Sequence, residues 1–150
     1  MRDYRIWELF LNTPLIAAAF AMGSSQLYKV LLPLFKGKGF QLRNLTDYGG
    51  FPSGHTAFIV GCTLALGIDS GFRSGIFALA ATVASMLIYD ILKQRKVVDL
   101  TRQETDRLLA KAGIAPLEPS PQFKAHSVAE ILGGGVWGAI CAVAFCFLLP

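Results

Sequence analysis

The sequence predicts an all-α fold: a polytopic membrane helix bundle of about four transmembrane helices plus an N-terminal interfacial helix. Three observations carry that prediction. Hydrophobic residues make up 53% of the 150 residues and charged residues only 16%, against roughly 25% charged in soluble domains. The apolar residues are gathered into long runs rather than scattered. The ionisable residues embedded in those runs lie toward one set of run ends. The length suits one membrane-embedded domain, residues 1–150.

Residues 1–11 mix Arg2, Arg5 and Glu8 with Tyr4, Trp7, Phe10 and Leu11. Positions 4, 7 and 11 share a helical face, so this segment reads as an amphipathic turn or two at the membrane surface. Small residues at 17–19 resemble a signal-peptide cleavage site, but the n-region is not purely basic and the apolar run continues to Phe35. The first apolar run covers about residues 14–35, interrupted by Lys29. The second covers about 51–68, the third about 76–92 with Asp90 near its end, and the fourth about 128–149 with Glu130 near its start. A spanning helix needs about 20 apolar residues, range about 17–25. Runs one and four meet this comfortably; two and three are at the short end. Residues 69–73 form a short turn. Residues 93–124 form a long polar segment with Pro116, Pro119 and Pro121. Within it 101–112 reads as a surface helix and the remainder as loop.

The net charge of +4 does not indicate nucleic acid. The basic residues sit in the polar segments between apolar runs, and no RNA or DNA motif accompanies them. The three cysteines, Cys62, Cys141 and Cys146, all lie inside apolar runs without metal-ligand spacing and read as small buried residues.

Threading four spans up and down brings Lys29, residues 52–55, Asp90, Arg95, His126 and Glu130 to one membrane side. Ionisable groups at membrane depth are costly and by default functional or paired. Gly49-Gly50-Phe51-Pro52-Ser53-Gly54-His55 is a Gly-rich turn into a helix start, a place where backbone N–H groups and the helix dipole favour an anion. His126 and Glu130 are four residues apart and share a helical face; a carboxylate there orients and charges the imidazole. Lys29, Lys36, Lys38, Arg43, Arg95 and Lys96 supply positive charge on the same side, either as loop charge or, for Lys29 and Arg95, as phosphate ligands. Counting basic residues on each side puts the motif side in the cytoplasm and both termini outside. Gly134 and Gly138 form a G-x-x-x-G pair, which serves either the fold or a homo-oligomer.

Over about residues 26–138 this ordered set resembles the type 2 phosphatidic acid phosphatase (PAP2) superfamily, and more closely its short divergent branch, related to acid phosphatases and vanadium-dependent haloperoxidases. The P-S-G-H block is Pro52, Ser53, Gly54 and His55. The H-x-x-x-D block is His126 to Glu130, with Glu for Asp, ahead of Gly133-Gly134-Gly135. Asp90 and Arg95-Lys96 match the acidic residue and basic pair that the divergent branch carries near the end of its third span. The chain departs from the superfamily at two places: Lys29 is followed after six residues by Lys36 rather than Arg-Pro, and Ser120 stands where the third-block Arg is expected.

The resemblance implies an integral-membrane lipid-phosphate phosphatase that hydrolyses a phosphomonoester without metal or cofactor. It implies His126 as nucleophile forming a phosphohistidine, Glu130 as its orienter and His55 as general acid. Ser53, Gly54, Lys29 and Arg95 would hold phosphate oxygens, with Asp90 orienting Arg95 or Lys29. Phosphatidylglycerophosphate, phosphatidate and a polyprenyl phosphate or diphosphate all fit as substrate. Haloperoxidase chemistry is set aside, because those enzymes are larger and soluble. Two other classes stay open: a non-catalytic binder of lipid phosphate, and a structural membrane subunit.

Overall fold

The computed structural model describes residues 11–35, 37, 50–114 and 127–148, with the backbone alone at residues 34, 35 and 95. Four α-helices follow one another: α1 (Thr13–Phe35), α2 (Gly54–Ser70), α3 (Gly75–Lys111) and α4 (Val128–Leu148). The predicted interfacial segment at 1–11 lies outside the described residues apart from Leu11.

Each helix starts at a polar cap that satisfies first-turn N–H groups. The Asn12 side chain accepts from the Leu15 N–H at 3.0 Å, at the start of α1. Ser53 caps α2, its Oγ accepting from the Thr56 N–H. Ser74 caps α3, accepting from the Phe77 N–H at 3.2 Å. The α2–α3 turn passes through Gly71 at φ +88°. It is fixed by the edge-on Phe72–Phe77 ring pair, which lies over Gly67, where a side chain would collide with both rings.

α1, α2 and α4 pack against one another through small residues. Ala17, Ala18 and Ala21 of α1, Ala57 and Ala65 of α2, and Cys141 and Ala142 of α4 are buried. Gly138 lies so close to α2 that a side chain there would strike the Ala57 carbonyl, and a carbon added at Gly61 would sit 3.4 Å from both Ala21 Cβ and the Gly138 carbonyl. Small residues let membrane helices approach this closely, and here the G-x-x-x-G pair does so inside the chain. The Trp137 indole adds a hydrogen bond across to Ser24 Oγ at 2.9 Å, and Phe20 packs on Phe145. Cys141 is buried, Cys62 and Cys146 are partly buried, and all three are free thiols.

α3 departs from expectation. The predicted break after residue 92 is absent: one helix of 37 residues runs from Gly75 to Lys111, about 55 Å long at 1.5 Å per residue. The reason is that neither Gly nor Pro occurs between Gly75 and Gly113, so nothing stops the helix where its hydrophobicity ends. It stops at Gly113, φ +70°. There the Ile114 N–H reaches the Leu109 carbonyl at 3.0 Å and the Gly113 N–H that of Ala110 at 3.2 Å, the paired closure of a Schellman motif.

α1 over Thr13–Pro33, α3 and α4 are long and apolar enough to cross a membrane. α2 has 17 residues, about 26 Å, a little under the ~30 Å hydrocarbon thickness. It lies between α1 and α4 with its Gly and Ala face buried.

Candidate active site

The ends of α1, α2 and α4 meet on one side of the bundle. Their junction is a backbone hydrogen bond: the Ser53 N–H donates to the Glu130 carbonyl oxygen at 2.8 Å. Gly134, one turn into α4, makes this possible, because a side chain there would strike the Ser53 carbonyl and crowd Thr56. The Phe51 ring lies over Gly133 in the same way. The P-S-G-H turn is thus seated on the first two turns of α4.

Ser53 is fully buried. Its Oγ accepts from the Thr56 N–H at 3.4 Å and from the Thr56 hydroxyl at 3.0 Å. Two accepted bonds use both lone pairs and leave the Ser53 O–H proton to donate. Gly54 opens α2, and its N–H is a first-turn donor with no acceptor within the helix. A carbon added at Gly54 would sit 3.1 Å from Ser25 Oγ and 3.3 Å from Gln26 Nε2, so α1 closes tightly on this end of α2. His55 is the next residue and is exposed.

Lys29 is 8% exposed. Gly50, at φ +93° in the left-handed region that favours glycine, lies along its aliphatic stem: a carbon added at Gly50 would be 3.6 Å from Lys29 Cδ. The Lys29 ammonium interacts electrostatically with Glu130. Glu130 also has a local partner that the sequence reading did not assign. Its Oε2 accepts from the Ser127 N–H at 2.9 Å while Ser127 Oγ accepts from the Glu130 N–H at 3.1 Å. This reciprocal pair is a capping box, and its S-x-x-E signature before an apolar run was there to be read.

The structure therefore brings together Lys29, Ser53, Gly54, His55 and Glu130. Asp90 is exposed on α3. At equal rise per residue it lies about as far beyond Phe77 as Gly54 lies before Gly67, roughly 20 Å, which puts it on the same side of the bundle. Arg95 follows on α3 with its backbone alone described. His126, which immediately precedes Ser127 in the chain, lies outside the described residues, as do Lys36, Lys38, Arg43 and Ser120. Residues missed from sequence are Ser25, Gln26, Thr56 and Ser127.

The α2 N-terminus and the buried Lys29 ammonium favour an anion at this end of the bundle, while the α4 N-terminus is closed by its own Ser127–Glu130 cap. Residues 10–141 match the Divergent PAP2 family. The chain belongs to the Divergent PAP2 family. Among curated proteins, the uncharacterized membrane protein YuiD of Bacillus subtilis (strain 168) is 23% identical over 154 residues, covering 93% of this chain and 98% of its own. No solved structure matches. With three helices able to span and a membrane protein as relative, this Divergent PAP2 chain is an integral membrane protein. Its P-S-G-H turn and H-x-x-x-E segment are the blocks on which the PAP2 resemblance rested.

Proposed function

We propose that this protein is a membrane lipid-phosphate phosphatase working through a phosphohistidine. The observation that carries the reading is the Ser53–Glu130 backbone bond, which holds the P-S-G-H turn against the segment that directly follows His126, with Lys29 buried beside both.

In this reading the phosphoryl group sits over the α2 N-terminus. The Gly54 N–H, the Ser53 hydroxyl and the Lys29 ammonium neutralise its oxygens, with Arg95 as a further cation. A His126 ring nitrogen attacks phosphorus; the N–P bond forms as the P–O bond to the lipid breaks. His55 gives its proton to the departing alkoxide. Water then attacks the phosphohistidine, returns a proton to His55 and frees phosphate and His126. Glu130 favours the charged imidazole. The competing reading is a non-catalytic lipid-phosphate binder, and one observation favours it: the Glu130 carboxylate already has a structural task in the capping box.

The cytoplasmic placement of the site rests on the basic residues of its side. The α3 extension adds Lys93, Lys96, Arg102, Arg107 and Lys111 there, and positively charged loops and juxtamembrane segments stay inside.

The test is phosphate release by the purified protein from phosphatidate, phosphatidylglycerophosphate and polyprenyl phosphates, with and without chelator. The expected result is release from at least one lipid, unaffected by chelator and inhibited by orthovanadate, whose trigonal-bipyramidal adduct resembles the transition state. No release from any, or a strict Mg²⁺ requirement, contradicts the mechanism.

A further inference from the structure

We propose that Gln26 is a phosphate-contacting residue of this site, its side-chain amide standing beside the Gly54 N–H as a further hydrogen-bond donor to the bound phosphoryl group. The inference rests on the anion-site reading above and adds a residue that neither P-S-G-H nor H-x-x-x-E contains.

Gln26 is a polar residue inside the first apolar run, three positions before Lys29. That spacing puts both on one face of α1. The face is the one α2 starts against: a carbon added at Gly54 would lie 3.3 Å from Gln26 Nε2 and 3.5 Å from Gln26 Cδ. The amide is therefore at the α2 N-terminus, next to a backbone donor that also lacks a helical acceptor. The other end of the amide is the informative one. Gln26 Oε1 is buried and, among the described residues, has no hydrogen-bond partner.

A buried acceptor without a partner opposes folding. A leucine or methionine of similar size would fill the same space without that penalty. Among the described residues nothing bonds the amide oxygen, whereas a phosphoryl group over the α2 N-terminus supplies acceptors for Nε2–H. An amide kept at a cost in stability through Oε1, with its Nε2–H donors at the α2 N-terminus, is a mark of a binding residue.

The experiment compares wild type with Gln26→Leu, Gln26→Met and Gln26→Glu as purified full-length protein in detergent. Binding of inorganic phosphate and orthovanadate is measured by calorimetry, and thermal unfolding is followed in parallel. Loss of a hydrogen bond to a charged group corresponds to about ten- to a hundredfold weaker binding. The expected result is a loss of that size for Leu and Met, with a melting temperature equal to or above wild type, because the orphan acceptor is gone. Glu, which repels the anion, should bind weakest. A merely structural Gln26 would do the reverse, lowering the melting temperature of Leu and Met at unchanged phosphate affinity, and that result overturns the proposal.

The two readings fail separately. If wild type binds phosphate through Gln26 but releases none from any lipid, catalysis is refuted and the Gln26 assignment stands. If wild type hydrolyses lipid phosphate and both apolar variants keep its KM and phosphate affinity, the Gln26 assignment alone is refuted.

Discussion

The Ser53 N–H donates to the Glu130 carbonyl oxygen at 2.8 Å, so the first turn of α2 and the first turn of α4 form one unit. Any change in the separation of these helices moves the P-S-G-H turn relative to the residues on either side of Glu130. The separation is set by Gly134 and Gly138, which admit the Ser53 and Ala57 carbonyls where a side chain would collide.

Gly134→Ala should therefore damage both stability and activity. Its methyl group would strike the Ser53 carbonyl, and overpacking of this kind costs about 1–3 kcal/mol. Gly135→Ala is the control, because nothing lies within contact of a carbon added there; it should be neutral or stabilise by up to about 1 kcal/mol through helix propensity. Thermal unfolding of the two variants in one detergent makes the comparison. Equal melting temperatures would show that the close approach at Gly134 does not hold the two motifs together.

Glu130 has two separable tasks, the cap and the charge. Gln can replace Glu in a capping box but leaves the buried Lys29 ammonium without that carboxylate, so Glu130→Gln should melt below wild type and above Glu130→Ala while its turnover falls between wild type and His126→Ala. Glu130→Ala loses the cap as well, at about 0.5–2 kcal/mol. Measuring melting temperature and turnover for both variants separates the tasks. Full turnover by Glu130→Gln would leave Glu130 as a cap alone.

The orientation can be read by labelling. Ser120→Cys, in the segment of the chain that joins α3 to α4, should resist a membrane-impermeant thiol reagent applied to intact cells and react once the cells are opened. The native Cys62, Cys141 and Cys146 lie in the helices and are partly or fully buried, which keeps their background low. Ready labelling from outside would place the site on the opposite face.

Much of this arrangement was legible because alternation of spans is a strong constraint. Lys29, Ser53 and Glu130 had to share a side if the runs crossed in turn, and they do. α3 was not legible in its length, because its hydrophobicity ends at residue 92 while the helix runs on to Lys111. Membrane residence follows apolar composition, whereas helix length follows breakers, and Gly113 is the first after Gly75. Glu130 stands four residues after His126 and also three after Ser127, and the second spacing is the signature of the capping box it forms. The approach of Gln26 to Gly54 was not legible: it depends on how α1 is rotated against α2, which tertiary packing decides through Ala21, Gly61 and Gly138. The G-x-x-x-G pair likewise left open which helix it would meet.

The central claim is that His126 and His55 do different chemistry, and it is tested by following turnover on two substrates together with trapped phosphoenzyme. General acid catalysis typically contributes about 10²–10⁴-fold, and an aryl phosphate with a good leaving group needs little of it. His55→Ala should lose far more activity on a lipid phosphate than on p-nitrophenyl phosphate and should still form a labelled phosphohistidine. His126→Ala should be inactive on both and form none. Melting temperatures near wild type establish that both variants are folded. Label trapped on His55, or normal lipid turnover by His126→Ala, would contradict the account.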